Sequence, residues 1–426
     1  MDANSVYMNY FIKKKDVILQ LLEYYKDSNK TVALWGAGKK GEAFLSIIDA
    51  NNKKIECVFD KDMNKVGKIL CNGHRVEDYN KKTVDIVLIA NSVFELEVIH
   101  ILENIMPKTK IINVDNIILG DLEFDNIVNK RSINLEKKRN IKICGVVVLY
   151  NPRVDVIQNI ASYVDELDML YVYDNSEKLN KDIYTMLKKY NNVSYIQKNE
   201  NKGLPVAFNE VEKIAIKSGY NWMITFDQDS MAVKGMVNAL REYVQCADYD
   251  ENVGIVAPVV NEIDGNRGTQ DIYLSYFDKV IQSGAMHKLS IMDKIGGYDE
   301  NMFIDEVDNE YCARCIINGY KIVKINNAIL MHNQQDETVG KKFIDGTTVF
   351  INKFSSDRYY YRYRNALYCY DKYYKSYPLY ALDCQNTIRK MKLQLQYDND
   401  FEEHNIAIKQ AISDYKNHHM GKRRKI

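Results

Sequence analysis

Apolar and polar positions along the chain fall into blocks that switch between two periods. Val17, Ile18, Leu21, Leu22 and Tyr25 recur at helical spacing and predict an amphipathic helix within 8–28. The apolar run 31–35, Thr-Val-Ala-Leu-Trp, reads as a strand and is followed by a helix expected over 42–50. Residues 55–59 and 84–90 read as two further strands, 94–106 as a helix stopped by Pro107, and 110–114 as a fourth strand. Such alternation predicts a parallel sheet covered by helices. Residues 129–140 are polar and charged and read as a linker. A second alternation follows, with strands at 143–150, 167–173, 193–197 and 222–226 and helices near 153–163, 179–190 and 204–217. Beyond 235 the pattern is mixed: 253–260 and 278–287 look like strands, 305–318 like a helix, and from about 354 the chain is helical and rich in Tyr and Lys.

Composition narrows the classes. The chain has 426 residues, which at about 150 per domain predicts two to four domains. Lys+Arg and Asp+Glu are equal at 58, so the net charge of zero argues against a nucleic-acid binder that works by bulk charge. Residues 1–10 lack a basic start followed by an apolar core, so no signal peptide is expected, and no run approaches the length that would span a membrane. The eight Cys are scattered, which reads as reduced thiols in the cytoplasm. Cys312 and Cys315 form a CxxC without a second CxxC, and core thiols are the expected reading.

In the first alternation Gly36, Gly38 and Gly41 form G-x-G-x-x-G between a predicted strand and a predicted helix. Glycines there permit a tight turn and let backbone N–H groups approach a phosphate. Asp60 ends the next strand, where a ribose-binding carboxylate belongs. A nucleotide or dinucleotide ligand is one reading; glycines kept for packing alone is the other. With the stretch Lys-Asp-Met-Asn-Lys-Val-Gly after Asp60, the unit resembles small Rossmann-like domains attached to sugar-modifying enzymes and nucleotide-sugar transferases.

In the second alternation three strands end in polar clusters: Tyr150-Asn151-Pro152, Asp174-Asn175-Ser176 and Asp227-Gln228-Asp229-Ser230. An open parallel sheet binds ligands at the carboxyl ends of its strands, so all three should meet on one edge. Carboxylates at i and i+2 can hold Mg²⁺ or Mn²⁺, which would neutralise a diphosphate leaving group. His332 follows the apolar run 328–331, and a lone His at a strand end reads first as structural.

Over 141–370 the chain resembles the family-2 glycosyltransferases, in particular the bacterial rhamnosyltransferase-like branch. The resemblance rests on Val-Val-Val-Leu-Tyr-Asn-Pro, Asp-Asn-Ser, Asn201-Lys-Gly203-Leu-Pro-Val-Ala-Phe-Asn209, Thr-Phe-Asp-Gln-Asp-Ser, Gly296-Gly-Tyr-Asp-Glu300, Phe303-Ile-Asp-Glu-Val-Asp-Asn-Glu-Tyr-Cys-Ala-Arg314 and Arg362-Tyr-Arg-Asn365. It implies a GT-A fold and inverting transfer of one sugar from a nucleotide diphosphate donor, dTDP-rhamnose or a UDP-sugar. The acceptor would be a glycan or lipid-linked molecule of surface-polysaccharide synthesis. Asp174 would contact the base, with Tyr150 and Asn151 lining its pocket. Asn201, Gly203 and Asn209 would shape the donor site, Asp227 would sit near the ribose, Asp229 would bind the metal, His332 would complete the metal shell or touch the diphosphate, and His287 would lie on a strand at the acceptor side. The family's Glu-Asp pair falls on Val307 and Asp308; Asp308 matches the general base, Val307 departs from the pattern, and Asp305 is the next candidate. Some of the acids 305–310 would only complement a helix N-terminus.

The expected class is therefore α/β: a Rossmann-like domain at 1–130, a linker at 131–140, a GT-A domain at 141–350 and a helical extension at 351–426. Ten Tyr lie between Tyr359 and Tyr380 among Arg and Lys, suited to packing on the catalytic domain or to acceptor or membrane contact. The basic tail 422–425 reads as solvated or as touching anionic lipid at the inner membrane face. Two competing readings are an NAD(P)-dependent sugar-nucleotide-modifying enzyme centred on the Gly36 loop, against which stands the lack of a Tyr-x-x-x-Lys near it, and a non-catalytic scaffold.

Overall fold

A computed structural model describes residues 3–27, 29–51, 54–90, 98, 101–102, 104–114, 139–245, 251–261, 274–276, 279–332, 338–342, 348–352 and 354–424. The linker expected at 131–140 lies outside them except for its last two residues, as does most of the helix expected at 94–106. The chain forms two compact units.

The first unit comprises Met1–Glu123, Thr338–Lys353 and Ala366–Phe401. Its elements begin with α1 (Ala3–Asp27), β1 (Val32–Trp35), α2 (Lys39–Ile48), β2 (Cys57–Phe59), β3 (Ile86–Ile89) and β4 (Lys110–Asn113). The four strands form a sheet in the order β2-β1-β3-β4, parallel at every pairing. Alternate residues of a strand face opposite sides. Leu34, Val58 and Leu88 therefore pack with α1 and α2 through Ile18, Leu22, Phe44 and Leu45, while Ala33, Trp35, Phe59, Val87 and Ile89 pack with Val98, Leu102 and Met106. Burial on both faces explains why these strands read as continuous apolar runs. A hairpin, Thr338–Lys342 with Thr348–Asn352, belongs to the same unit. So do Leu379 and Leu382, which join the layer of α1 and α2. The helical extension expected at 351–426 thus divides between the two units.

The second unit comprises Phe124–Glu337, Phe354–Asn365 and Glu402–Ile426. In chain order its elements are β5 (Ile143–Leu149), α3 (Val156–Ala161), β6 (Met169–Asp174), α4 (Lys181–Leu187), β7 (Val193–Gln197), α5 (Leu204–Lys217), β8 (Trp222–Asp227), β9 (Ser230–Ala232) and α6 (Met236–Gln245). There follow β10 (Val253–Asn261), β11 (Leu274–Tyr276), β12 (Met286–Lys288), α7 (Leu289–Ile295), α8 (Val307–Ile317) and β13 (Lys321–His332). Three helices close the chain: α9 (Ser356–Tyr373), whose first half belongs to this unit, α10 (Pro378–Leu395), which belongs to the first, and α11 (Phe401–Lys416).

Among the described residues the sheet runs β11-β13-β10-β12-β8-β5-β6-β7, with β9 paired to β13. Strands β8, β5, β6 and β7 are parallel; β12 enters antiparallel between β8 and β10. The fold is a mixed, mostly parallel α/β sheet with helices packed on it. Ile143, Val147, Leu149, Val172, Ile224 and Phe226 form one buried face with Leu240 and Val244 of α6, and Tyr163 stacks on Phe226 at 3.9 Å. Helix α8 begins two residues later than the expected 305, because Asp305 and Glu306 adopt φ of 65° and 60°.

Candidate active site at the strand ends

Register assembles the site. Leu149 pairs with Asp174, and Val148 with Asp227, so the two acids flank the end of β5. Gln228 lies between Asp227 and Asp229 and turns the other way. Its Oε1 accepts the Tyr150 N–H at 3.0 Å, its Nε2 donates to the Tyr150 carbonyl at 3.3 Å, and its own carbonyl accepts from Asn159 Nδ2 at 2.8 Å. The residue between the acids thereby clamps β8 to the end of β5.

Strand β9 starts directly after Asp229 and pairs with β13, which sets His332 opposite Ser230. Ligand atoms of Asp227, Asp229 and His332 all lie within 4.8 Å of one another. His332 Nδ1 is 2.8 Å from Ser230 Oγ and 3.7 Å from Asp229 Oδ1. Two ligands of a six-coordinate Mg²⁺ stand about 3 to 4 Å apart, so a small inward movement would close these three around such an ion. The Asp227 N–H donates to Ser283 Oγ at 3.0 Å, Gln282 Nε2 donates to its Oδ1, and Ser283 donates on to Ser230 at 2.7 Å. Burial first, then the neighbouring Asp229, push the Asp227 carboxyl up to about 6 against the pull of His332 and Gln282. Burial raises Asp229 as well, opposed by His332. Two carboxyls driven upward beside each other are a pair that a divalent cation would relieve.

Asp174 is fully buried: Oδ1 accepts the Ser176 N–H at 2.8 Å and Oδ2 accepts from Tyr195 OH. Asn151 sits at φ 45°, and its N–H donates to Ser176 Oγ at 2.8 Å. The Tyr150 ring is exposed at this edge. Asp174 thereby ties the strand-end loop to β7, and the Tyr150 ring lies at the open edge.

The loop before α5 is held by close approach. Asn201 Oδ1 accepts the Gly203 N–H at 3.0 Å, and Gly203 has φ 85°. A Cβ on Gly203 would stand 2.6 Å from the Phe303 carbonyl oxygen, so only glycine fits. The Leu204 N–H donates to that same oxygen at 3.0 Å. Asn209, buried on α5, donates to the Tyr298 carbonyl at 2.8 Å and to Glu300 at 2.9 Å, and accepts the Tyr298 N–H at 2.7 Å. Asn201, Gly203 and Asn209 therefore tie the loop before α5 to the segment leading into α8.

Asp308 stands half-buried in the first turn of α8 and accepts the Asn309 N–H at 2.9 Å. Burial, then Glu306, push its carboxyl up to about 6, and Asp227 adds to the rise. Asp305 differs. Its Oδ1 pairs with Arg358 at 3.0 Å while its buried Oδ2 has no partner; burial raises it against Arg358 and Arg362. Asn365 holds the Ile304 and Asp305 carbonyls at 2.8 and 2.9 Å. Glu310 is fully buried and gives both oxygens to Arg314, at 3.0 and 2.6 Å. It is held inside the fold by that pair, where complementing the helix N-terminus is the role expected of part of this acidic cluster. His287 is a core residue, bonded to Tyr298 OH at 2.9 Å and pushed down to about 3 by burial. Cys312 and Cys315 are buried thiols.

In the first unit Asp60 turns back on the glycine loop. Its Oδ2 accepts the Ala37 N–H at 2.7 Å and meets Lys65 Nζ at 3.0 Å, and its Oδ1 accepts the Asp62 N–H at 2.9 Å. A Cβ on Gly41 would lie 1.8 Å from the Gly36 carbonyl oxygen, so Gly41 serves close helix-to-loop packing; around Gly38 a Cβ would meet nothing within 4 Å. Sequence reasoning missed Gln228, Gln282, Ser283 and Asn159, because each acts through a partner more than fifty positions away.

The family model for the C-methyltransferase C-terminal domain matches residues 3–112. The dTDP-rhamnosyl transferase RfbF of Shigella flexneri is 27% identical over 246 residues, 53% of this chain and 79% of that protein. Staphylococcus aureus TarS 1–349 in complex with UDP-GlcNAc aligns over 65% of this chain and 80% of its own at 12% identity, with a TM-score of 0.42. GalNAc-T7 with UDP, GalNAc and Mn²⁺ aligns over 66% of this chain at 13% identity and a TM-score of 0.38, and the chain spans 58% of its length. No described helix is long and apolar enough to cross a membrane. The strand-end acids in register thus belong to a chain that is similar, over 246 residues, to a dTDP-rhamnosyl transferase.

Proposed function

We propose that the protein transfers a single sugar, with inversion, from a nucleotide diphosphate sugar to a hydroxyl of a glycan or lipid-linked acceptor on the cytoplasmic side of a membrane. The observation that carries this is the meeting of Asp227, Asp229 and His332 within 4.8 Å at the strand ends, with Asp308 close enough to feel the charge of Asp227. Asp227, Asp229 and His332 would hold Mg²⁺ or Mn²⁺, which supplies charge neutralisation for the departing diphosphate. Tyr150 and the loop clamped by Asn201 and Gly203 orient the donor. Asp308 takes the acceptor hydroxyl proton as the new oxygen–carbon bond forms at the anomeric carbon and the bond to the diphosphate breaks. Asp308 suits this better than Asp305, because Asp305 is already paired with Arg358. The likeness to a dTDP-rhamnosyl transferase favours dTDP-rhamnose among the donors.

The alternative centred on the Gly36 loop is disfavoured by Asp60, whose carboxylate is engaged by the loop's own Ala37 amide and by Lys65. We assign the Rossmann-like unit an accessory role.

Purified protein would be screened with dTDP-, UDP- and GDP-sugars in Mn²⁺ or Mg²⁺ by thermal shift and donor hydrolysis. The expected result is a metal-dependent shift with one donor class, lost in Asp229→Ala. A shift with NAD(P) and none with any nucleotide sugar would move the function to the Gly36 loop. Inversion is read from the anomeric configuration of the product by NMR.

A further inference from the structure

The basic segment after α11 does not trail into solvent. The chain reverses through His418 and Gly421, both at positive φ, and runs back over the site loops. The Gly421 N–H donates to the Asn301 carbonyl at 2.7 Å, and the Gly421 carbonyl accepts from Arg364 Nη1 at 2.8 Å. Lys422 Nζ donates to the Asn201 carbonyl at 3.2 Å and lies 5.9 Å from the centre of the Phe303 ring. The Arg423 N–H donates to Tyr361 OH at 2.7 Å, and its guanidinium pairs with Asp357 at 2.7 Å and donates to Gln410 at 2.9 Å. Gln410 donates in turn to the Arg424 carbonyl at 2.7 Å.

These contacts converge on Phe303. Its carbonyl abuts Gly203, its ring stacks on Tyr361 at 5.2 Å, and Lys422 lies beside it. Loops 201–203 and 301–305 lie outside the helices and strands of the unit, so each depends on such cross-ties for a fixed shape. The segment supplies one to each: Gly421 to Asn301 and Lys422 to Asn201. The Arg364 guanidinium that holds the Gly421 carbonyl is fully buried and its bond charge-assisted, whereas the Lys422 bond is exposed to solvent.

We propose that residues 417–424 form a strap that fixes loops 201–203 and 301–305 in the geometry for donor binding, with Lys422 as a positioning residue. The donor role rests on the transferase reading above, whereas the bracing of the loops does not. Holding a site's loops before substrate arrives removes an ordering cost from binding.

Hydrogen exchange by mass spectrometry, on the full chain, compares wild type with Lys422→Ala and Gly421→Pro. Peptides covering 201–206 and 301–306 should exchange about tenfold faster in Gly421→Pro, with β5 and β8 unchanged. Lys422→Ala should raise the KM for dTDP-rhamnose about fivefold with kcat within twofold, and Lys422→Arg should restore it. Loops that exchange as in wild type in both variants, or a KM that does not move, would overturn the strap. If wild-type protein turns over no nucleotide sugar, the transferase reading fails, and the exchange data still decide the bracing.

Discussion

At Asp308 the burial that raises the carboxyl to about 6 suits the base role proposed for it and makes the ionised form unfavourable to bury. A base must be deprotonated, so kcat/KM should rise with pH through about 6 and level off above it. Asp308→Asn should lower kcat by about a hundred- to ten-thousand-fold. The stability effect runs the other way. An aspartate in the unfolded chain titrates near about 3.9, below the folded value, so the folded state holds its proton longer and stability falls as pH rises from there through about 6. Asp308→Asn should therefore melt above wild type at pH 7, by about 1 kcal/mol after allowance for partial exposure, and lose the advantage near pH 4. Calorimetry at both pH values checks this, and a variant that merely damaged the fold would melt lower.

At the scale of elements, α8 is anchored by one cation. Arg314 Nη1 reaches the carbonyls of Ile295, Gly296 and Gly297 at 3.1, 2.5 and 2.6 Å while the rest of the guanidinium holds the buried Glu310. Arg314→Ala would strand that carboxylate, and a loss of about 3 to 5 kcal/mol is expected in chemical denaturation. Arg314→Ala with Glu310→Gln should recover part of it. The strands bearing Tyr150, Asp174 and Asp227 were legible because each apolar run stops abruptly at polar residues, and the Asp308 helix was legible from its acids. The onset of α8 was not, since Asp305 and Glu306 adopt positive φ without the glycine that would signal it. Nor was the partner of His332: β9 has three residues and pairs with a strand far along the chain. The role of Asn209 was hidden for the same reason, its partners Tyr298 and Glu300 being distant in sequence. The tail 422–424 offered only charge to a reader, and charge alone suits solvent, lipid or a backbone carbonyl equally well.

At the scale of the whole molecule the chain is interleaved. The first unit takes 366–401 from beyond the second, and Leu379 and Leu382 complete the layer formed by α1 and α2. A fragment of residues 1–123 alone would expose that apolar surface. It should melt lower and bind a hydrophobic dye more strongly than the same fragment co-expressed with 366–401. The second unit carries a different long-range tie. Ser230 and His332, 102 positions apart, meet beside Asp229, so an ion seated there would bridge β8 and β13 as well as serve the reaction. Such an ion binds only the assembled strands and stabilises them by mass action. Mn²⁺ at a hundredfold excess over its dissociation constant should add about 2.7 kcal/mol, reversed by EDTA and absent in Asp229→Ala. The catalytic cation would then double as a detachable rivet: a cell short of the metal would hold a protein that is both idle and easier to unfold, so that metal supply would govern how long the enzyme lasts as well as how fast it works.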